Sequence, residues 1–104
     1  MALVKCITKT TGTFVSAQAW VTVNGKRVSF VSGQADIPTG TYELKWFFIA
    51  DPGASVSYSL DAKDAATHKA PCTAGPYAVP NGQYRISSGK YLPADFKPAF
   101  FEVA

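Results

Sequence analysis

The chain alternates small polar and apolar residues over short stretches and breaks them with Gly, Pro, Asn and Asp, a period-2 pattern that marks strands. No window carries a long 3.6-residue period, so the elements predicted are β-strands near 2–9, 13–23, 27–32, 40–50, 54–60, 83–87 and 99–103. A short strand near 76–79 or 90–92 completes the count. In the segment from Thr13 to Val31, residues Val15, Ala17, Ala19, Val21 and Val23 share one face. Asn24-Gly25 then supplies a two-residue turn, because both positions tolerate positive φ. That turn sets Val21 opposite Val28 and Ala19 opposite Phe30. On the other face, Trp20 lies opposite Ser29 and Thr22 opposite Arg27. Pattern and turn chemistry agree, as register demands.

The stretch "GTYELKWFFIADPGASVSYSL", residues 40–60, carries two aromatic-rich runs around Asp-Pro-Gly. Tyr42, Leu44, Trp46 and Phe48 point one way, and Val56, Tyr58 and Leu60 alternate with Ser55, Ser57 and Ser59. Read as a hairpin, this stretch needs an odd loop of three or five residues near Pro52. Phe48 then pairs with Val56, Trp46 with Tyr58 and Leu44 with Leu60. The second face would hold Glu43, Lys45, Phe47 and Ile49 against the serines. Burying Phe47 or Ile49 is worth about 1.5–3 kcal/mol each, so another layer of the chain, or another molecule, should cover them.

Residues 61–80 are less regular. "DAKDAATHKA" has the composition for one or two helical turns, with Asp61 or Asp64 as N-cap. "PCTAGPYAVP", with its prolines, must be loop or edge. "GQYRIS" alternates Tyr84 and Ile86 against its polar residues, and "SSGK" turns it back into "YLP". The tail, with Phe96, Phe100, Phe101 and Val103, is too apolar to hang free and should dock on the body or on a neighbour. These elements predict an all-β fold: one antiparallel β-sandwich domain over residues 1–104, of seven or eight strands, with a partly closed barrel as the alternative. Its core should contain Val15, Val21, Val28, Phe30, Tyr42, Leu44, Trp46, Phe48, Val56, Tyr58 and Leu60.

The run "IPTGTYELKW", residues 37–46, resembles the I-P-x-G-x-Y lead-in to a strand in prealbumin-like and immunoglobulin-like sandwich domains. It covers about a tenth of the chain. The resemblance implies a sandwich and carries no activity with it.

Composition narrows the function classes. The chain has 104 residues, 47% hydrophobic and 16% charged, well under the usual ~25% charged, which argues for a folded core and a sparsely charged surface. The net charge is +3, with Lys63, Lys69, Lys90 and Lys97 dispersed, and Arg27 and Arg85 the arginines. Without a cationic cluster, nucleic acid is not an expected partner. The longest apolar run, Trp46 to Ala50, is too short to span a bilayer, so no membrane association is expected. "MALVKCITKT" lacks a signal-peptide pattern. Cytoplasmic location is the reading, with secretion left open. Cys6 and Cys72 then read as packed thiols rather than a disulfide.

Candidate chemistry is thin. His68 and Cys72 are four apart, but Pro71 ends any helix that would join them, and no orienting third group is evident. Two Cys and one His do not make a zinc site. Asp61 and Asp64 lack the further oxygens that calcium needs, and the glycines show no phosphate-cradling pattern. No cofactor and no catalysis are expected. Aromatics are 13% of residues. Trp20 beside Gln18, with Tyr77, Tyr84 and Tyr91 in or near loops, is a set that could stack sugars as in lectin-like domains, although Trp and Tyr more often serve as large core fillers. The favoured expectation is a non-catalytic interaction module that self-associates or docks on a protein partner, using Phe47 and Ile49. A small carbohydrate-binding protein using Trp20 and Tyr77 is the alternative.

Overall fold

Eleven strands run through the structure, a computed structural model that describes residues 2–62, 68–69 and 72–103. They are β1 (Ala2–Thr11), β2 (Phe14–Val23), β3 (Lys26–Ser29), β4 (Gln34–Ile37), β5 (Gly40–Glu43), β6 (Lys45–Ala50), β7 (Ser55–Ala62), β8 (His68–Lys69), β9 (Cys72–Ala78), β10 (Arg85–Ser87) and β11 (Phe100–Val103). Eight of them form two four-stranded antiparallel sheets, β4-β1-β7-β9 and β10-β6-β2-β3, packed face to face as a β-sandwich. β5, β11 and β8 make a smaller third sheet. The helical turns expected around Asp64 lie outside the described residues.

The first hairpin has the register its turn dictates. Trp20 pairs with Ser29, Val21 with Val28 and Thr22 with Arg27. Asn24 and Gly25 both take positive φ, 51° and 78°, as a type I′ turn requires. Ser32 and Gly33 repeat this geometry (φ 54° and 77°), and Gln34 N–H closes on Val31 O at 3.1 Å. That turn carries the chain into the other sheet, where β4 pairs with β1.

The start of β2 departs from the alternation. Phe14 pairs with Ala50 and Ser16 with Ile49, so a bulge accommodates Val15 as an extra residue. Val15, expected in the core, is therefore 80% exposed, whereas Val21 further along is fully buried. Val28, Phe30 and Tyr42 sit at the rim of the core, partly buried.

The stretch 40–60 is not a hairpin. β6 pairs with β2 and β10, and β7 pairs with β1 and β9, so the two strands belong to opposite sheets. The Asp51–Ala54 turn is the reason. Ala54 N–H bonds to Asp51 O at 3.1 Å with Gly53 at φ 89°, a type II turn, whose twist splays flanking strands. Asp51 N–H bonds outward to Thr13 O and Gly53 N–H to Val79 O, tying the turn to both sheets. The expected inward set survives this change. Leu44, Trp46, Phe48, Val56, Tyr58 and Leu60 are all buried, but they meet across the core instead of across a ladder. Trp46 and Tyr58 lie with ring centroids 5.5 Å apart.

β5 and β6 are one predicted strand broken at Leu44, whose N–H bonds to Ala99 O at 2.8 Å. Below the break the chain follows β11; above it, β2 and β10. Tyr42 anchors the lead-in by donating its phenol to Pro38 O at 2.7 Å. Phe101 and Val103 of the tail are buried against the body, while Phe100 stays exposed. "CTAGPYA" is an edge strand, β9. Leu60 pairs with Cys6 on one side and Cys72 on the other. Two strand spacings of about 4.8 Å separate the cysteine backbones, beyond disulfide reach.

Candidate functional site

The outward face of β10-β6-β2-β3 holds the features that the core does not use. Parity from the paired registers places Ser16, Gln18 and Trp20 of β2 on this face, beside Ile49, Phe47 and Lys45 of β6 respectively. Arg85 and Ser87 of β10 flank Ile49 and Phe47 on the far side. Arg27 and Ser29 of β3 lie beyond Trp20. Phe47 and Ile49 therefore do not sit among Ser55, Ser57 and Ser59. Those serines belong to β7, in the other sheet.

Own-chain cover over the two apolar residues is partial. Trp20 leans on Phe47 with ring centroids 5.9 Å apart, and both are half-buried. The 88–91 segment rises along the other side and leaves a groove of about 390 Å³, floored by Trp20, Phe47 and Ile49 and walled by Arg85, Lys90 and Tyr91. Arg85 and Tyr91 also border a second hollow of about 340 Å³ with Gln83 and Tyr84, so apolar surface continues past the wall.

Ser87 and Ser88 fix that wall. Past Ser87 the chain leaves the β6 ladder, and the Ser88 side chain takes over the pairing. Trp46 N–H donates to Ser88 Oγ at 2.9 Å, Ser88 Oγ donates to Trp46 O at 3.2 Å, and Ser88 N–H donates to the same carbonyl at 3.0 Å. Ser87 N–H donates to Tyr91 O at 2.7 Å, while Ser87 Oγ accepts from the N–H groups of Gly89 and Tyr91. No pattern of hydrophobicity signals a serine in this role.

The rim is cationic. The Arg27 guanidinium lies 3.6 Å from the Trp20 ring centroid, a close cation–π contact. The Arg85 guanidinium and the Lys90 ammonium lie 5.2 and 5.6 Å from the Tyr91 ring. Lys45 is paired with Glu43 at 3.1 Å. Among the described residues, no carboxylate stands within ion-pair distance of Arg27, Arg85 or Lys90.

The expected site residues separate. Trp20, Phe47 and Ile49 come together in the groove, joined by Tyr91. Tyr77 does not. It is 5% exposed and stacks on Trp46 at 5.1 Å with an 11° interplanar angle. Its hydroxyl donates to Lys97 O at 3.3 Å, so its ring is a core pillar under residues 96–97 and not a sugar platform. Tyr84 and Tyr91 keep their rings accessible. His68 and Cys72 stand on different strands, paired with Val103 and Leu60. Among the described residues, no group of three or more His, Cys, Asp or Glu is placed to hold a metal ion, and no helix is long and apolar enough to cross a membrane.

Compared with known protein families, curated proteins and solved structures, the chain matches none.

Proposed function

We propose that the protein is a non-catalytic interaction module that docks an acidic, partly apolar segment of a protein partner in the groove over Trp20, Phe47 and Ile49. The observation that carries this reading is an open apolar floor walled by Arg85 and Lys90, with Arg27 over the Trp20 ring, cations that no described carboxylate neutralises. Apolar side chains supply affinity to such a site by area removed from water. The cations supply orientation and partner choice. The same charges weigh against the self-docking alternative: two copies of a +3 chain meeting face to face would set cationic rims against each other. A carbohydrate reading keeps Trp20 and Tyr91 but loses Tyr77 to the core.

A display library of random 12-residue peptides tests the proposal. Selection on the wild-type protein should enrich Asp and Glu around an aromatic or aliphatic residue, and Ile49→Asp should abolish the enrichment. Enrichment that ignores Ile49→Asp, or that favours basic peptides, overturns it. A flat peptide selection beside a positive glycan array would move the reading to carbohydrate.

A further inference from the structure

The groove's cations are not equivalent, and their differences locate where an acidic group would be read. Lys45 is held by Glu43. Arg27 lies close over the Trp20 ring, at the opposite side of the floor from β10. Arg85 and Lys90 approach one ring, Tyr91, from strand β10 and from the turn after it, both exposed at the groove's mouth. Their contacts with Tyr91 are longer than the Arg27–Trp20 contact, and both side chains are exposed, so their donors have less to give up. The turn that carries Lys90 and Tyr91 is already fixed by Ser87 and Ser88, which lowers the ordering cost of capturing a ligand there. An arginine fork and an ammonium gathered at one ring suit a carboxylate, which accepts two parallel N–H bonds from the guanidinium.

We infer that Arg85 and Lys90 form a carboxylate subsite at the Tyr91 end of the groove and determine its preference for an acidic residue next to the apolar anchor. This rests on the docking reading above. An occupant seated on Phe47 and Ile49 then runs across the strands, over Arg85, toward the hollow at Tyr84.

Two probes separate the subsite from the groove: acetyl-Glu-Phe-Glu-amide and its neutral counterpart acetyl-Gln-Phe-Gln-amide, each titrated by NMR. The wild-type protein should bind the acidic peptide about tenfold more tightly, the size of one charge-assisted hydrogen bond. Both peptides should shift Phe47 and Ile49, and only the acidic one should shift the Arg85 Nε–Hε signal. Arg85→Gln with Lys90→Gln should erase the preference, so that the acidic and neutral peptides bind the double variant alike. Equal binding by the wild type, or a preference that survives the double variant, overturns the subsite while docking stands. If neither peptide moves Phe47 or Ile49, the docking reading falls and the subsite with it.

Discussion

The phenol of Tyr58 donates to the backbone carbonyl of Phe47 at 2.9 Å, crossing from one sheet to the strand that floors the groove. Tyr58 is fully buried in β7, while the Phe47 side chain points to the opposite side of β6. The bond therefore ties the core to the underside of the candidate site. Burial, and secondarily the nearby Cys6, push the Tyr58 phenol above the usual tyrosine range, with a backbone hydrogen bond from Gln18 acting the other way.

A raised phenol pKa means that the folded state holds its proton more firmly than the unfolded chain. The resulting stability is complete below the unfolded value near 10 and drains away as pH climbs from there toward the folded value. The slope is at most about 1.4 kcal/mol per pH unit. Tyr58→Phe should cost about 1 kcal/mol at pH 7 through the lost bond. Urea melts at pH 9 and pH 11 should then show the wild-type advantage shrinking. A difference that stays constant with pH would contradict the assignment.

Gly75 is held to glycine by space as well as by conformation. It sits at φ 97°, and a Cβ there would meet Val56 O at 2.7 Å, inside the β7–β9 pairing. Gly75→Ala should destabilise by about 2–3 kcal/mol. Gly25→Ala, at φ 78° in open space, should cost only about 1 kcal/mol of backbone strain. Chemical denaturation of the two variants checks the order, which equal losses would refute.

Val15 and Val21 share a strand and a predicted face but not an environment. Val15→Thr should change stability by no more than about 0.5 kcal/mol, as at any exposed site. Val21→Ala, emptying a buried position, should cost about 2 kcal/mol. A costly Val15→Thr would mean that the bulge is misplaced.

Ser88→Ala should cost about 1–3 kcal/mol, because it removes the acceptor for the Trp46 N–H and leaves that buried group unpaired. Hydrogen exchange at Trp46 should quicken, together with exchange at Tyr91, since the turn loses its anchor. Unchanged protection at Trp46 would show that the serine does not hold it.

Local physics was legible in the sequence; pairing between distant strands was not. Asn24-Gly25 dictates one register, and the Trp20–Ser29 and Thr22–Arg27 pairs followed from it, which already put Trp20 and Arg27 on one face. The inward set around Trp46 was readable for the same reason, since side-chain parity does not depend on the partner strand. The partner itself does. Pro52-Gly53 tells of a turn but not whether the next strand folds back or crosses over, so a hairpin reading places Phe47 among serines, whereas β2 brings it Trp20. The bulge at Val15 has no sequence mark, because valine suits either side of a strand. The short strand β4 was hidden by Asp36 and Pro38, and Ser88's backbone pairing arises only once β10 lies beside β6.

Shift mapping decides most directly which outer face meets a partner. The acidic peptides enriched by display should be titrated into isotope-labelled protein. Shift changes are predicted at the Trp20 indole, Phe47, Ile49, Arg85 and Tyr91. Changes confined to Lys5, Ile7 and Lys9, on the outward face of β1 in the other sheet, would contradict it.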